Sequence, residues 1–262
     1  MAQYTLHGNP KGMNVDRKAS LEVIQPDWAA PPNIRALSTL RQGGVSSGPY
    51  GSLNLGNSSG DNLEHIERNR QILAEETSMP MRPAWLNQVH GTVCIDASST
   101  PDPVPADASY CSSVGSVCAI LTADCLPVLF CNRAGTEIAA AHAGWRGLRA
   151  GVLESTLNRF GVQRTDIIAW LGPCIGAQRY EIGPEVYDAF MGNSEADAQH
   201  FESNRPGHWL ANLAGLASAR LRRAGVSQIS GGDWCTASDA QRFFSYRRDG
   251  TTGRMATCIW MQ

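Results

Sequence analysis

"SVCAILTAD" (Ser116–Asp124), "CLPVLFCN" (Cys125–Asn132) and "EIAAAHAGW" (Glu137–Trp145) follow one another with hardly a pause. They are apolar at nearly every position instead of alternating, which is the pattern of strands covered on both faces. Asp124–Cys125 breaks the first junction and "RAGT" (Arg133–Thr136) the second. The three runs therefore read as buried neighbouring strands.

Nearer the N-terminus, "LEVIQPDWAAPPNIRALSTLRQGG" reads as a first strand, a Pro-rich connection and a second strand over residues 34–40. The stretch from Arg41 to Asn62 is rich in Gly, Ser and Asn and reads as one long loop. Asp61 with Glu64 forms a candidate cap for a helix that places Leu63, Ile66, Arg70 and Leu73 at helical spacing. "AWLNQVHGTVCIDA" reads as a strand turning after His90, and "TPDPVPADAS" as a Pro-rich loop. A helix is expected over "GLRAGVLESTLNRFG", with Leu148, Val152, Thr156 and Phe160 on one face and Gly161 as its stop. Further on come a strand in "DIIAWLGPCIG" and a short helix opened by Pro184. An amphipathic helix then turns Leu210, Leu213, Ala217 and Leu221 inward, and a terminal hairpin has its last strand over residues 255–260. Several strands succeed one another directly, which favours an α/β chain of the α+β, mixed-sheet kind over a doubly wound one. With no repeat or linker, the expected organisation is a polar, loosely ordered leader at 1–20 and one domain at 21–262.

The 262 residues are 42% hydrophobic, enough for a large core, and the formal net charge is -2. No dense Lys/Arg block favours nucleic acid or an anionic membrane, and no apolar stretch nears the ~18 residues that span a bilayer. The N-terminal residues lack the apolar segment of a secretory signal. The eight cysteines include no C-x-x-C pair, and several lie in apolar runs, so they read as reduced thiols. The expectation is a cytoplasmic monomer acting on a small molecule.

Two motif matches fail in context. "GVSSG" (Gly44–Gly48) satisfies G-x-S-x-G but runs into a Pro-Tyr-Gly loop rather than a helix. "HIE" (His65–Glu67) has the first half of a zinc-deaminase signature without the second. What remains are three residues at breaks in apolar runs: His90, Cys125 and His142. His, Cys and His bind zinc, and three ligands with one open position is the catalytic arrangement. The ligands stand 35 and 17 residues apart, a spacing with no specificity of its own. From spacing alone, a buried thiol with two hydrogen-bonded core histidines is the more ordinary reading.

The strings carry more than their spacing. "RQGGVSSGPYGSLNLG", "NQVHG", "ADCLPVLF", "AAAHAGWRGL", "GPCIG…YEIG" and "CTASD…FFSYRRDG…TGRMATCIW" together resemble the laccase-domain family, also called multicopper polyphenol oxidase-like or YfiH-type. The matching blocks extend from about residue 35 to residue 260. The resemblance implies a single α/β domain with mixed sheets and one zinc held by His90, Cys125 and His142. It implies phosphorolysis of adenosine, inosine, guanosine and methylthioadenosine, with adenosine deamination. An alternative within the family is a peptidoglycan-editing hydrolase that removes serine from UDP-muramoyl-serine; older descriptions make it a copper polyphenol oxidase. Several coppers need further His clusters, which the sequence does not offer. Phosphorolysis needs cations around phosphate, and Arg41 and Arg146 are the candidates. Cys125 could instead be a nucleophile activated by His142, or the zinc could be structural, which would demand a fourth protein ligand. Asp124 is a candidate partner for a ligating histidine or a turn residue, and Cys174 a pocket residue or a buried thiol.

Overall fold

The computed structural model describes residues 21–99, 103–192 and 195–262, so the expected leader lies outside the described residues. Its strands are β1 (Val23–Ile24), β2 (Ile34–Thr39), β3 (Cys94–Asp96), β4 (Ala108–Cys111), β5 (Val117–Thr122), β6 (Leu126–Asn132) and β7 (Ile138–Ala143). They continue as β8 (Ile167–Leu171), β9 (Glu181–Ile182), β10 (Phe201–Arg205), β11 (His208–Ala211), β12 (Gln228–Gly231) and β13 (Met255–Met261). The helices are α1 (Leu63–Thr77), α2 (Trp145–Ala150), α3 (Val152–Leu157), α4 (Pro184–Met191), α5 (Leu213–Arg223) and α6 (Tyr246–Asp249).

A six-stranded sheet runs β12-β8-β6-β7-β4-β3, mostly antiparallel, with parallel pairs at its two edges. A four-stranded antiparallel sheet runs β1-β2-β13-β5, and a small sheet runs β10-β11-β9. The side chains show why the apolar runs do not alternate. In β6, Val128 and Phe130 pack into one core with Leu148, Val152 and Leu216, while Leu129 and Cys131 pack into another with Ile120 and Ile259. In β13, Ile259 joins that second core, while Cys258 and Trp260 join a third with Leu73 of α1. Both large sheets are thus buried on both faces, in the layer order α1, four-stranded sheet, six-stranded sheet, helices α2, α3 and α5. This is the mixed-sheet, single-domain architecture expected.

Local expectations needed correction. β5 is not a sheet neighbour of β6: it pairs with β13, and the chain crosses between sheets at Ala123–Asp124–Cys125. The helix after β7 is two helices, split at Gly151 (φ 103°), and it ends at Leu157, before Gly161. The cap of α1 is Asn62, whose side chain accepts from the Glu64 amide at 2.8 Å. Asp61 turns back instead to accept from Ser46 Oγ (2.6 Å) and Asn54 Nδ2 (3.0 Å). Leu63 is 65% exposed. Leu210 belongs to β11, not to a helix, because Asn212 caps α5 only after it. No terminal hairpin forms: the segment before β13 carries α6, and β13 pairs with β2 and β5. Residues 84–91 make only isolated bridges, Ala84 to Cys118 and Asn87 to Pro105. Gln88 anchors them with its side-chain amide bonded to both the N–H and the C=O of Leu121, each at 2.8 Å. All eight cysteines are free thiols, and burial lifts the Cys258 thiol to about 12.

Ile259 lies fully buried between the two large sheets. Ile259→Ala is expected to lower the free energy of unfolding by about 2–5 kcal/mol. Val114→Ala, at a position 72% exposed, should change it by no more than about 0.5 kcal/mol. Urea denaturation followed by tryptophan fluorescence measures both.

Candidate metal centre and its cavity

Three separate segments deliver the three candidate ligands. His142 is the penultimate residue of β7, Cys125 sits on the crossing between sheets, and His90 occupies a turn with φ 59°. Their ligand atoms all lie within 4.8 Å of one another. His142 is buried, Cys125 half-buried and His90 the most exposed. The two imidazoles meet edge to face, with centroids 4.8 Å apart.

One carboxylate organises this cluster. Asp107, fully buried, holds His142 Nδ1 at 2.8 Å with Oδ1, which also accepts from the His90 amide at 2.9 Å. Its Oδ2 accepts from the amides of Gly91 (2.6 Å) and Val89 (3.1 Å), and its backbone carbonyl accepts from the His142 amide (2.7 Å). Burial alone would raise the Asp107 pKa. The His142 contact and the backbone donors outweigh it, so the carboxyl stays below its usual range. Burial likewise works against the His142 imidazolium, but Cys125 and Asp107 outweigh it and lift the ring to about 9. Burial and then His142 lower the pKa of His90. With Nδ1 turned to Asp107, His142 presents Nε2 to the cluster, an orientation that also makes the ring a more basic ligand.

Gly144 keeps the centre open. A Cβ there would lie 2.9 Å from His90 Nδ1 and 3.0 Å from Cys125 Sγ. Two nitrogens and a sulfur around a space that only glycine leaves free fit a metal ion, and no fourth Cys, His or acid among the described residues closes the set.

Asp107 lies in the Pro-rich stretch "TPDPVPADAS", whose composition marks it only as loop. Its one signal is an acid set between two alanines at the start of an apolar strand. Asp124 does not orient a histidine. With φ 88° at the sheet crossing, its Oδ1 accepts from Thr236 Oγ1 (2.5 Å) and its Oδ2 from Ser245 Oγ (3.0 Å) and the Arg247 amide (2.6 Å). It is a turn residue that fastens the segment before β13 to the crossing that carries Cys125.

The cluster faces a cavity of about 560 Å³, within the range of small-molecule sites. Four arginines line it: Arg70, Arg146, Arg247 and Arg254. The carboxylate of Asp124, also on its wall, is already engaged. Trp85, Trp145, Tyr180 and Tyr246 supply aromatic surface. Arg146 stacks on Trp145 (4.4 Å) and meets Glu185 at an exposed 3.6 Å. Arg41 is not in the cavity wall. Its Nε donates to the Gly51 carbonyl (3.1 Å), its Nη1 to that of Ala240 (2.9 Å), and the guanidinium lies over Phe244. Cys174 is also outside the wall, 1% exposed in the helix-side core, where burial pushes its thiol far up.

Comparison with known proteins agrees with the fold and the blocks. Residues 35–262 match the family described as "Multi-copper polyphenol oxidoreductase laccase". The chain is 51% identical over 242 residues to "Purine nucleoside phosphorylase YfiH" of Escherichia coli (strain K12), covering 92% of this chain and 99% of that one. A Pseudomonas aeruginosa relative, "Purine nucleoside phosphorylase PA4543", is 48% identical over 91% of this chain and 98% of its own. Among solved structures, a Neisseria meningitidis protein of the DUF152 family superposes with a TM-score of 0.89 at 48% identity, over 92% of this chain and 99% of its own. A Bacillus licheniformis YfiH structure superposes with 0.82 at 27% identity, over 87% and 93%. The chain therefore belongs to the laccase-like, YfiH-type family.

Proposed function

We propose that the protein is a zinc-dependent purine nucleoside phosphorylase, with His90, Cys125 and His142 as the metal ligands. The observation that carries this reading is a three-ligand cluster, oriented by a buried carboxylate, opening on an arginine-lined cavity. The names of the Escherichia coli and Pseudomonas aeruginosa relatives support the same reaction class. Adenosine, inosine, guanosine and methylthioadenosine are the expected substrates, with adenosine deamination as a second activity.

Bound by His90, Cys125 and His142, zinc would supply a Lewis acid beside the cavity. The chain's own residues do the rest. Trp85, Trp145, Tyr180 and Tyr246 offer faces for a purine, and the arginines offer charge for phosphate. Arg146 remains the rim candidate for that charge. In phosphorolysis a phosphate oxygen forms a bond to C1′ of the ribose while the C1′–N9 bond breaks. The electron pair leaves on the base, which takes up a proton, giving free base and ribose 1-phosphate. Asp107 fixes the His142 ring, so that side chain need not reorient during turnover. A multicopper oxidase mechanism finds no support, since the described residues hold no second cluster of ligands.

Purified protein incubated with adenosine or inosine and phosphate should release free base and ribose 1-phosphate, resolved by chromatography. Serine released from UDP-muramoyl-serine, without nucleoside cleavage, would replace this reading with precursor editing. Cys125→Ala should reduce zinc from about one per chain to a trace, by elemental analysis, and the rate by at least about 100-fold; full activity in this variant would exclude catalysis at the metal. Asp107→Asn should weaken zinc binding by about 10–100-fold in chelator competition, as loss of an orienting partner does. Gly144→Ala should lose zinc while remaining folded by circular dichroism, because its methyl enters the ligand space.

A further inference from the structure

Four arginines face the cavity, and they are not equivalent. Arg146 has Glu185 beside it. Arg70 gives both Nε and Nη2 to the carbonyl of Leu55 (3.1 and 2.8 Å) and stacks on Trp85. Arg247 spends Nη1 on the Glu181 carbonyl (2.8 Å) and lies over Tyr180.

Arg254 is held differently. Its amide donates to Asn54 Oδ1 (2.9 Å), and the same Asn54 oxygen accepts from the Gly56 amide (3.1 Å). One side-chain amide therefore joins the loop before β13 to the Gly-rich loop. A Cβ at Gly56 would lie 2.5 Å from Arg254 Cγ, so the arginine stem runs directly over that glycine. Only Nη1 is engaged, with the carbonyls of Thr252 (2.8 Å) and Gly253 (3.0 Å). That clamp fixes one nitrogen of the fork. The other edge, Nε and Nη2, makes no hydrogen bond or ion pair to any described residue. Burial lowers the pKa of this guanidinium, and Cys125 heads the groups that oppose the fall, followed by Asp124. A half-buried cation with no carboxylate of its own needs an anion to complete it. The Nε–Nη2 edge is the one that meets two oxygens of a phosphate side by side.

We propose that the Nε–Nη2 edge of Arg254 binds inorganic phosphate in the cavity, beside the His90–Cys125–His142 cluster. This rests on the phosphorylase reading above and names the residue that seats its second substrate. It also gives a purpose to Gly56 and Asn54: the first makes room for the arginine, and the second sets the height of its loop.

Isothermal titration of the zinc-loaded full chain with inorganic phosphate tests the site directly. Wild type should bind, and Arg254→Met should weaken binding at least tenfold, with Arg254→Lys in between because a single ammonium cannot span two oxygens. Zinc content should not change in either variant. Gly56→Ala keeps every charge but displaces the arginine stem, and should weaken phosphate binding in the same direction. In steady-state assays the Arg254 variants should raise KM for phosphate at least tenfold and leave KM for nucleoside within twofold. Phosphate affinity in Arg254→Met within twofold of wild type overturns the proposal, as does a wild-type chain that binds no phosphate at millimolar concentration. Phosphate binding lost with Arg254, in a protein that cleaves no nucleoside, sustains the anion site and removes the phosphorylase reading instead.

Discussion

Asp107 accepts four hydrogen bonds on two carboxylate oxygens, three from consecutive amides at Val89, His90 and Gly91 and one at His142 Nδ1. Such a buried anion is costly unless every lone pair is met, and here the donors meet them. The same bonds shape the His90 turn, whose backbone would otherwise disfavour a positive φ, and lock the tautomer and rotation of His142. Two candidate ligands on different segments are thus positioned by one side chain. Its backbone belongs to the layer as well, since the Asp107 carbonyl takes the amide of His142. The cluster is built from the six-stranded sheet outward.

The third candidate ligand comes from the other constraint on this fold, a pair of sheets stacked face to face. β5 belongs to one sheet and β6 to the other, so the chain must cross between them within three residues. Cys125 rides on that crossing. The backbone there takes φ 88° at Asp124, a conformation that a carboxylate bonded to Thr236, Ser245 and Arg247 can hold in place. Irregular backbone between two buried layers is a place where a polar side chain can reach a cavity without disturbing a strand. Cys118 and Cys258, within the strands, have no such outlet and act as small apolar residues.

The sequence conveyed the covered strands well because burial on both faces removes polar positions altogether. The three candidate ligand residues stood out for the complementary reason: each interrupts an apolar run. The partners were harder to read. Asp107 lies in a Pro-rich stretch whose composition suggests only loop, and its role depends on three amides that any sequence would supply. Arg41 and Arg254 look alike on paper, each flanking a Gly-rich or apolar block. Only tertiary placement shows that Arg41 is consumed by carbonyls and an aromatic face while Arg254 reaches the cavity. The supposed terminal hairpin failed because β13 finds its partners in β2 and β5, more than a hundred residues earlier.

That insertion has a consequence for the order of assembly. β13 is an inner strand of its sheet, and the segment leading to it supplies the partners of Asp124 as well as Arg254. Contacts of such long sequence separation close late, after local helices and hairpins. The pair β6–β7 is local in sequence, whereas the cavity wall that carries Arg254 depends on β13 lying between β2 and β5. The candidate ligands lie well before β13 in the chain, yet part of the cavity they face is walled by Tyr246, Arg247 and Arg254 of the segment that leads into it.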